Sequence, residues 1–155
     1  MAGADDFDFF VGDWRVSHRQ RKQWLAGCED WIEFSGATQT RKILGGQGNS
    51  DENRLDKPGG AYRATTVRTF DAAAGQWAIW WFDGRFTHRL EPPMLGGFED
   101  GVGTFYADDE IEGRPIQVRF IWSGGETGSP RWEQAFSQDA GATWETNWIM
   151  EFRRA

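Results

Sequence analysis

Tyr62-Arg63-Ala64-Thr65-Thr66-Val67-Arg68-Thr69-Phe70 runs through Asp71-Ala72-Ala73-Ala74-Gly75 into Gln76-Trp77-Ala78-Ile79-Trp80-Trp81-Phe82-Asp83. Both flanks are rich in threonine, β-branched residues and aromatic rings, the side chains that suit a pleated, half-buried surface. Neither has a helical apolar period. The five residues between them begin with aspartate and end with glycine, a connection of hairpin length and turn composition, so the flanks are read as an antiparallel pair. On the second flank Trp77, Ile79, Trp81 and Asp83 share one face, and Ala78, Trp80 and Phe82 share the other. Either face is a candidate lining for an interior.

The same pattern extends in both directions. Trp14 to Gln20 alternates with a period of two, and Trp31-Ile32-Glu33-Phe34-Ser35 resumes the alternation after a break at residues 21–27. Gly45-Gly46-Gln47-Gly48 bends the chain ahead of a polar segment, residues 49–60, that closes on the turn Lys57-Pro58-Gly59-Gly60. Further strands are expected over residues 95–99, 101–108, 116–123, 130–137 and 144–153, separated by glycine, proline, aspartate or asparagine. Only residues 20–26 carry any hint of a helical period. With no room for crossover helices, the expectation is all-β: a single antiparallel up-and-down barrel of about eight to ten strands over residues 1–155, closed so that no sheet edge is left bare. A two-sheet sandwich is the alternative.

Composition narrows the function. Seventeen Lys and Arg against twenty-four Asp and Glu leave a net charge of −7, which repels polyanions, so nucleic acid is not an expected partner. No apolar run approaches the roughly 20 residues of a membrane-spanning helix, and residues 1–10 lack the basic-then-apolar order of a secretion signal; the expected location is the cytoplasm. Cys28 is the single cysteine, which excludes an internal disulfide and reads as a small buried hydrophobe. Ten Trp, twelve Phe and twenty Gly match short strands joined by tight turns.

The string Phe9-Phe10-Val11-Gly12-Asp13-Trp14 resembles the opening Gly-x-Trp strand of the calycins, the lipocalin and fatty-acid-binding type of barrel. A closer likeness extends over nearly the whole chain, through Leu44-Gly45-Gly46-Gln47-Gly48-Asn49, Leu90-Glu91-Pro92-Pro93, Phe98-Glu99-Asp100-Gly101-Val102-Gly103-Thr104-Phe105-Tyr106 and Arg131-Trp132-Glu133-Gln134-Ala135-Phe136-Ser137. In these strings the protein resembles the bacterial DUF1579-like family of lipocalin-like proteins, which implies a calycin barrel and brings no established reaction. Ser137-Gln138-Asp139-Ala140-Gly141-Ala142-Thr143-Trp144 resembles the Asp-box of sialidases, a hairpin device; a single copy reads as a structural turn.

Two histidines, His18 and His88, are too few and too far apart in sequence for a metal motif, so no metal, haem or other cofactor is expected. His18 shares the strand face of Trp14; if Trp14 plugs the barrel floor, His18 points into the space above it. The principal expectation is a binder of a small, mostly apolar or aromatic molecule, held by Trp14, Trp31, Trp81, Trp122, Trp132 and Trp148. The alternative is a cofactor-independent lyase, isomerase, hydratase or cyclase in which His18, with Asp83 or Tyr106, moves a proton. Asp83 also suits a cap for the turn at Gly84-Arg85. In the last hairpin a symmetric loop pairs Trp132 with Trp148, Gln134 with Thr146 and Phe136 with Trp144, leaving Arg119, Glu133 and Asn147 as an exterior ladder or, with the register turned over, as an interior anchor for a polar ligand head. The expected partner is a small-molecule ligand or substrate, with a homodimer left open.

Overall fold

The alternation written into residues 12–21 builds the first wall of the molecule. In the computed structural model, which describes residues 2–155, strand β1 (Gly12–Arg21) buries Trp14, Val16, His18 and Gln20 and turns the residues between them outward. It is followed by β2 (Trp31–Ile43), β3 (Gly48–Leu55), β4 (Tyr62–Asp71), β5 (Gln76–Asp83), β6 (Met94–Glu99), β7 (Val102–Ile111), β8 (Arg114–Ser123), β9 (Arg131–Ser137) and β10 (Glu145–Arg154). Each strand pairs antiparallel with the next, and β10 returns to β1, so the ten strands form one closed up-and-down barrel. The residues considered for a helix, 20–26, instead finish β1 and then form bends. Among the described residues no helix is long and apolar enough to cross a membrane.

The β4–β5 hairpin forms because its loop satisfies its own backbone. Asp71 accepts hydrogen bonds from the amides of Ala73 and Ala74 at 3.0 and 3.1 Å, and Gly75 closes the turn at φ 66°. The register runs from Asp71–Gln76 to Ala64–Asp83. It turns Trp77, Ile79 and Trp81 inward and leaves Trp80 and the exposed Phe82 outside.

Two expectations are corrected. Residues 48–55, read as a polar connection, form β3, with Asn49, Asp51, Asn53 and Leu55 buried and Glu52 and Arg54 exposed. Its period of two is intact, but the inward residues are hydrogen-bonding ones, so hydropathy hides it. In the last hairpin the loop is offset by one residue, pairing Phe136 with Glu145, and a bulge at Asn147 then sets two residues of β10 against one of β9, pairing Gln134 with Trp148 and Trp132 with Met150. Trp132, Gln134 and Trp148 still face inward. Asn147 is wholly buried and accepts a hydrogen bond from Gln134 at 2.9 Å, so it belongs to no exterior ladder.

One end of the barrel is sealed by rings. The short turn Asp8–Phe10 tucks Phe7 and Phe10 beneath Trp14, Trp77 and Trp122, with Phe7 edge-on to Trp77 at 4.9 Å and Phe10 edge-on to Trp122 at 4.7 Å. Trp14 donates to the Phe10 carbonyl at 2.8 Å, and the Arg154 guanidinium covers its other side at 3.9 Å. The connections at residues 22–30, 56–61 and 84–93 gather at the opposite end. There β5 and β6 pair only from Trp77–Gly96 to Ile79–Met94, so the second half of β5 is bordered by the segment 84–93 rather than by a strand.

Candidate binding cavity

A cavity of about 350 Å³ occupies the upper half of the barrel. Its apolar wall is aromatic: Trp132 and Trp148 meet edge-to-face at 5.1 Å, Trp81 and Trp148 at 5.8 Å, and Phe120 and Trp132 at 4.9 Å. Trp122 forms part of the base and Phe136 part of the upper rim, where it packs edge-on against Trp24 at 5.1 Å. Edge-to-face contacts fix each ring against the next.

The facing wall, from β3 and β4, is polar. Arg68 donates to Asp51 at 2.8 Å, with side-chain exposures of 5% and 1%, and to Asn49 at 2.8 Å. Asn53 donates to Asp51 at 2.6 Å and accepts from Thr38 at 2.7 Å. The Arg68 guanidinium also lies over Phe10 and Trp122, each at 5.4 Å. Desolvating two opposite charges is tolerated here because each is hydrogen-bonded as well as paired. The pair leaves this wall with no net charge.

Charged groups ring the open end. Asp83 accepts the Arg85 amide at 2.9 Å and the Arg85 guanidinium at 3.1 and 2.9 Å. Burial alone would raise the Asp83 carboxyl, but the Arg85 hydrogen bonds and charge outweigh it and hold the pKa below the ordinary value. Arg85 also stacks on Tyr62 at 3.7 Å, whose phenol is pushed up by burial. Lys57 is pushed down, by burial first and by Arg85 second. Glu91, Asp108 and Asp109 complete the rim.

His18 is interior, 3% exposed, and stacked on Phe34 at 4.6 Å. Its Nδ1 accepts the Trp148 indole N–H at 3.1 Å, which places the ring proton of the neutral form on Nε2. Burial lowers its pKa from 6.5 to about 4, opposed in part by Asp56. The imidazole stands behind Trp148, and the cavity lining passes from Gln20 to Trp148 without it. Nε2 lies so close to Gly36 that a Cβ there would sit 2.9 Å from it and would also strike the Arg54 carbonyl.

The named candidates are therefore dispersed. Trp81, Trp122, Trp132 and Trp148 line the cavity, as does Asp83 at its mouth. Trp14 lies in the sealed floor below it. Trp31 is on the outer face, with the guanidinium groups of Arg19 at 4.9 Å and Arg21 at 4.6 Å over its ring. Tyr106 is also outside, 49% exposed and packed against Trp144 at 6.0 Å, because β7 turns Phe105 and Ala107 inward instead. His18, Asp83 and Tyr106 thus form no cluster. Among the described residues, no group of three or more His, Cys, Asp and Glu side chains is placed to hold a metal ion. Asp51, Arg68, Gln20 and Gln134 were not among the sequence candidates; their signal was a polar residue at an inward position of a strand. The Asp-box sequence is a turn: Asp139 accepts from Ser137 at 2.7 Å and from the Thr143 amide at 2.8 Å, and the Thr143 hydrogen bonds come first in holding its carboxyl down to about 2. No family model matches the chain, and no curated protein matches its sequence.

Proposed function

We propose that this protein binds a small, mostly apolar, aromatic molecule within the barrel, admitted through the end ringed by Lys57, Arg85, Glu91 and Asp108. The observation that carries the reading is an open cavity walled by Trp81, Trp132 and Trp148, in a barrel whose opposite end is packed solid with Phe7, Phe10 and Trp14. A volume of about 350 Å³ falls at the lower end of the roughly 300–1,000 Å³ usual for small-molecule sites. We further propose membership of the DUF1579-like, lipocalin-like proteins, which the closed antiparallel barrel and the opening Gly12-Asp13-Trp14 strand support. The test is a titration with the neutral fluorophore N-phenyl-1-naphthylamine. The reading predicts saturable, stoichiometric enhancement in the wild type and its loss in Ala107→Phe, which fills the cavity from β7. Enhancement that survives Ala107→Phe in a folded variant refutes it.

A further inference from the structure

We infer that the cavity selects an uncharged planar molecule that presents both a hydrogen-bond donor and an acceptor, read by the side-chain amides of Gln20 and Gln134. This rests on the binding reading above and specifies its ligand class. Gln20 is 3% exposed and lines the cavity, yet among the described residues its amide has no hydrogen-bond partner in the protein. Its nitrogen and oxygen are not among the polar atoms sealed away without a partner, so the surface they keep opens on the cavity and on the shallow recess above it. Gln134, 9% exposed, spends its amide nitrogen on Asn147 at 2.9 Å and leaves its carbonyl oxygen free to accept. A buried amide without a partner loses hydration with nothing in return, and a ligand that supplies the missing partner recovers that loss.

The two amides are placed as a pair. In the sheet register Gln20 and Gln134 both lie directly opposite Trp148, one on each neighbouring strand. Two strand spacings put their backbones roughly 10 Å apart, with the Trp148 indole between them. Trp148 is held there by its hydrogen bond to His18 and by edge-to-face contacts with Trp81 and Trp132. A flat ring lying on that indole thus has an amide at each flank.

The charge balance of the interior sets the ligand's charge. Arg68 and Asp51 cancel one another at 2.8 Å. The remaining charged groups of the lining, Lys57, Asp83, Arg85, Glu91, Asp108 and Asp109, belong to the open end, where water reaches them. A carboxylate or an ammonium carried down to Trp148 would give up its hydration without meeting an unpaired opposite charge.

The experiment is calorimetric titration at neutral pH with four probes built on one ring system: naphthalene, 2-naphthamide, 2-naphthoate and 2-naphthylmethylammonium. The expected result is that 2-naphthamide binds at least tenfold more tightly than each of the others. Gln20→Met and Gln134→Met should each weaken 2-naphthamide relative to naphthalene about fivefold, the worth of one neutral hydrogen bond. Near-ultraviolet circular dichroism checks that both variants keep the wild-type packing; if either fails to fold, the wild-type ranking of the four probes decides alone. Equal binding of naphthalene and 2-naphthamide, or a preference for 2-naphthoate or the ammonium, overturns the inference while the cavity reading stands. Failure of all four probes to bind refutes the cavity reading, and the inference falls with it.

Discussion

Acid should destabilise this protein through His18 as pH falls from 6.5 towards 4. The folded imidazole has its pKa lowered to about 4, against 6.5 when exposed, so between those values the unfolded chain takes up a proton that the folded one refuses. The stability contributed by the neutral ring is therefore complete above pH 6.5 and is lost as pH falls towards 4. Linkage over that interval gives a loss of about 2 kcal/mol between pH 7.5 and pH 5 and about 3 kcal/mol by pH 4. Geometry adds a reason for the refusal: a proton on Nδ1 would turn the acceptor of the Trp148 indole into a second donor at a 3.1 Å contact. The assay is urea unfolding across this pH range for the wild type and for His18→Gln, whose amide offers an acceptor to Trp148 and does not titrate. The wild type should lose about 2 kcal/mol more than the variant between pH 7.5 and pH 5. Parallel curves for the two proteins, or a His18 resonance that titrates near 6.5 by NMR, would refute the reasoning.

Other perturbations test other parts of the structure. Asp51→Asn strands the Arg68 guanidinium in the interior and should cost about 3–5 kcal/mol by urea unfolding, whereas the double change Asp51→Leu with Arg68→Met should recover most of that loss. Gly36→Ala drives a methyl into the Arg54 carbonyl and against His18 Nε2; the expected loss is about 1–3 kcal/mol, read by the same method. Tyr106→Ala removes a ring from the outer face and should leave N-phenyl-1-naphthylamine affinity unaltered. A drop in affinity would move the binding site from the interior to the β7 surface.

How far the sequence carries the structure depends on which physical signal each element uses. The β4–β5 hairpin is legible because its strands alternate, its loop carries Asp71 and Gly75, and its inward face is Trp77, Ile79 and Trp81. Strand β3 is not, because the residues it turns inward are Asn49, Asp51 and Asn53, which satisfy one another and Arg68 only after β3 and β4 have met. Hydrogen bonds between strands leave no trace in hydropathy. The polar wall of the cavity was for that reason invisible, although its aromatic wall was not. Tyr106 and Trp31 lie outside for a different reason: an aromatic residue on a strand is equally at home there when an arginine or another ring covers it, as Arg19 and Arg21 cover Trp31. The register of the last hairpin differs because the loop is offset by one residue, setting Phe136 against Glu145, and the bulge at Asn147 shifts the pairs beyond it by one more. His18 was placed inside by parity with Trp14, but parity says nothing of which neighbour stands in front of it.

The interior site is tested most directly by following the tryptophan indole N–H resonances by NMR while N-phenyl-1-naphthylamine is added. Binding within the barrel predicts saturable shifts for Trp81, Trp132 and Trp148, with Trp31 and Trp144 unmoved. Shifts confined to Trp31 and Trp144, or no saturable shift in the three interior indoles, would contradict it.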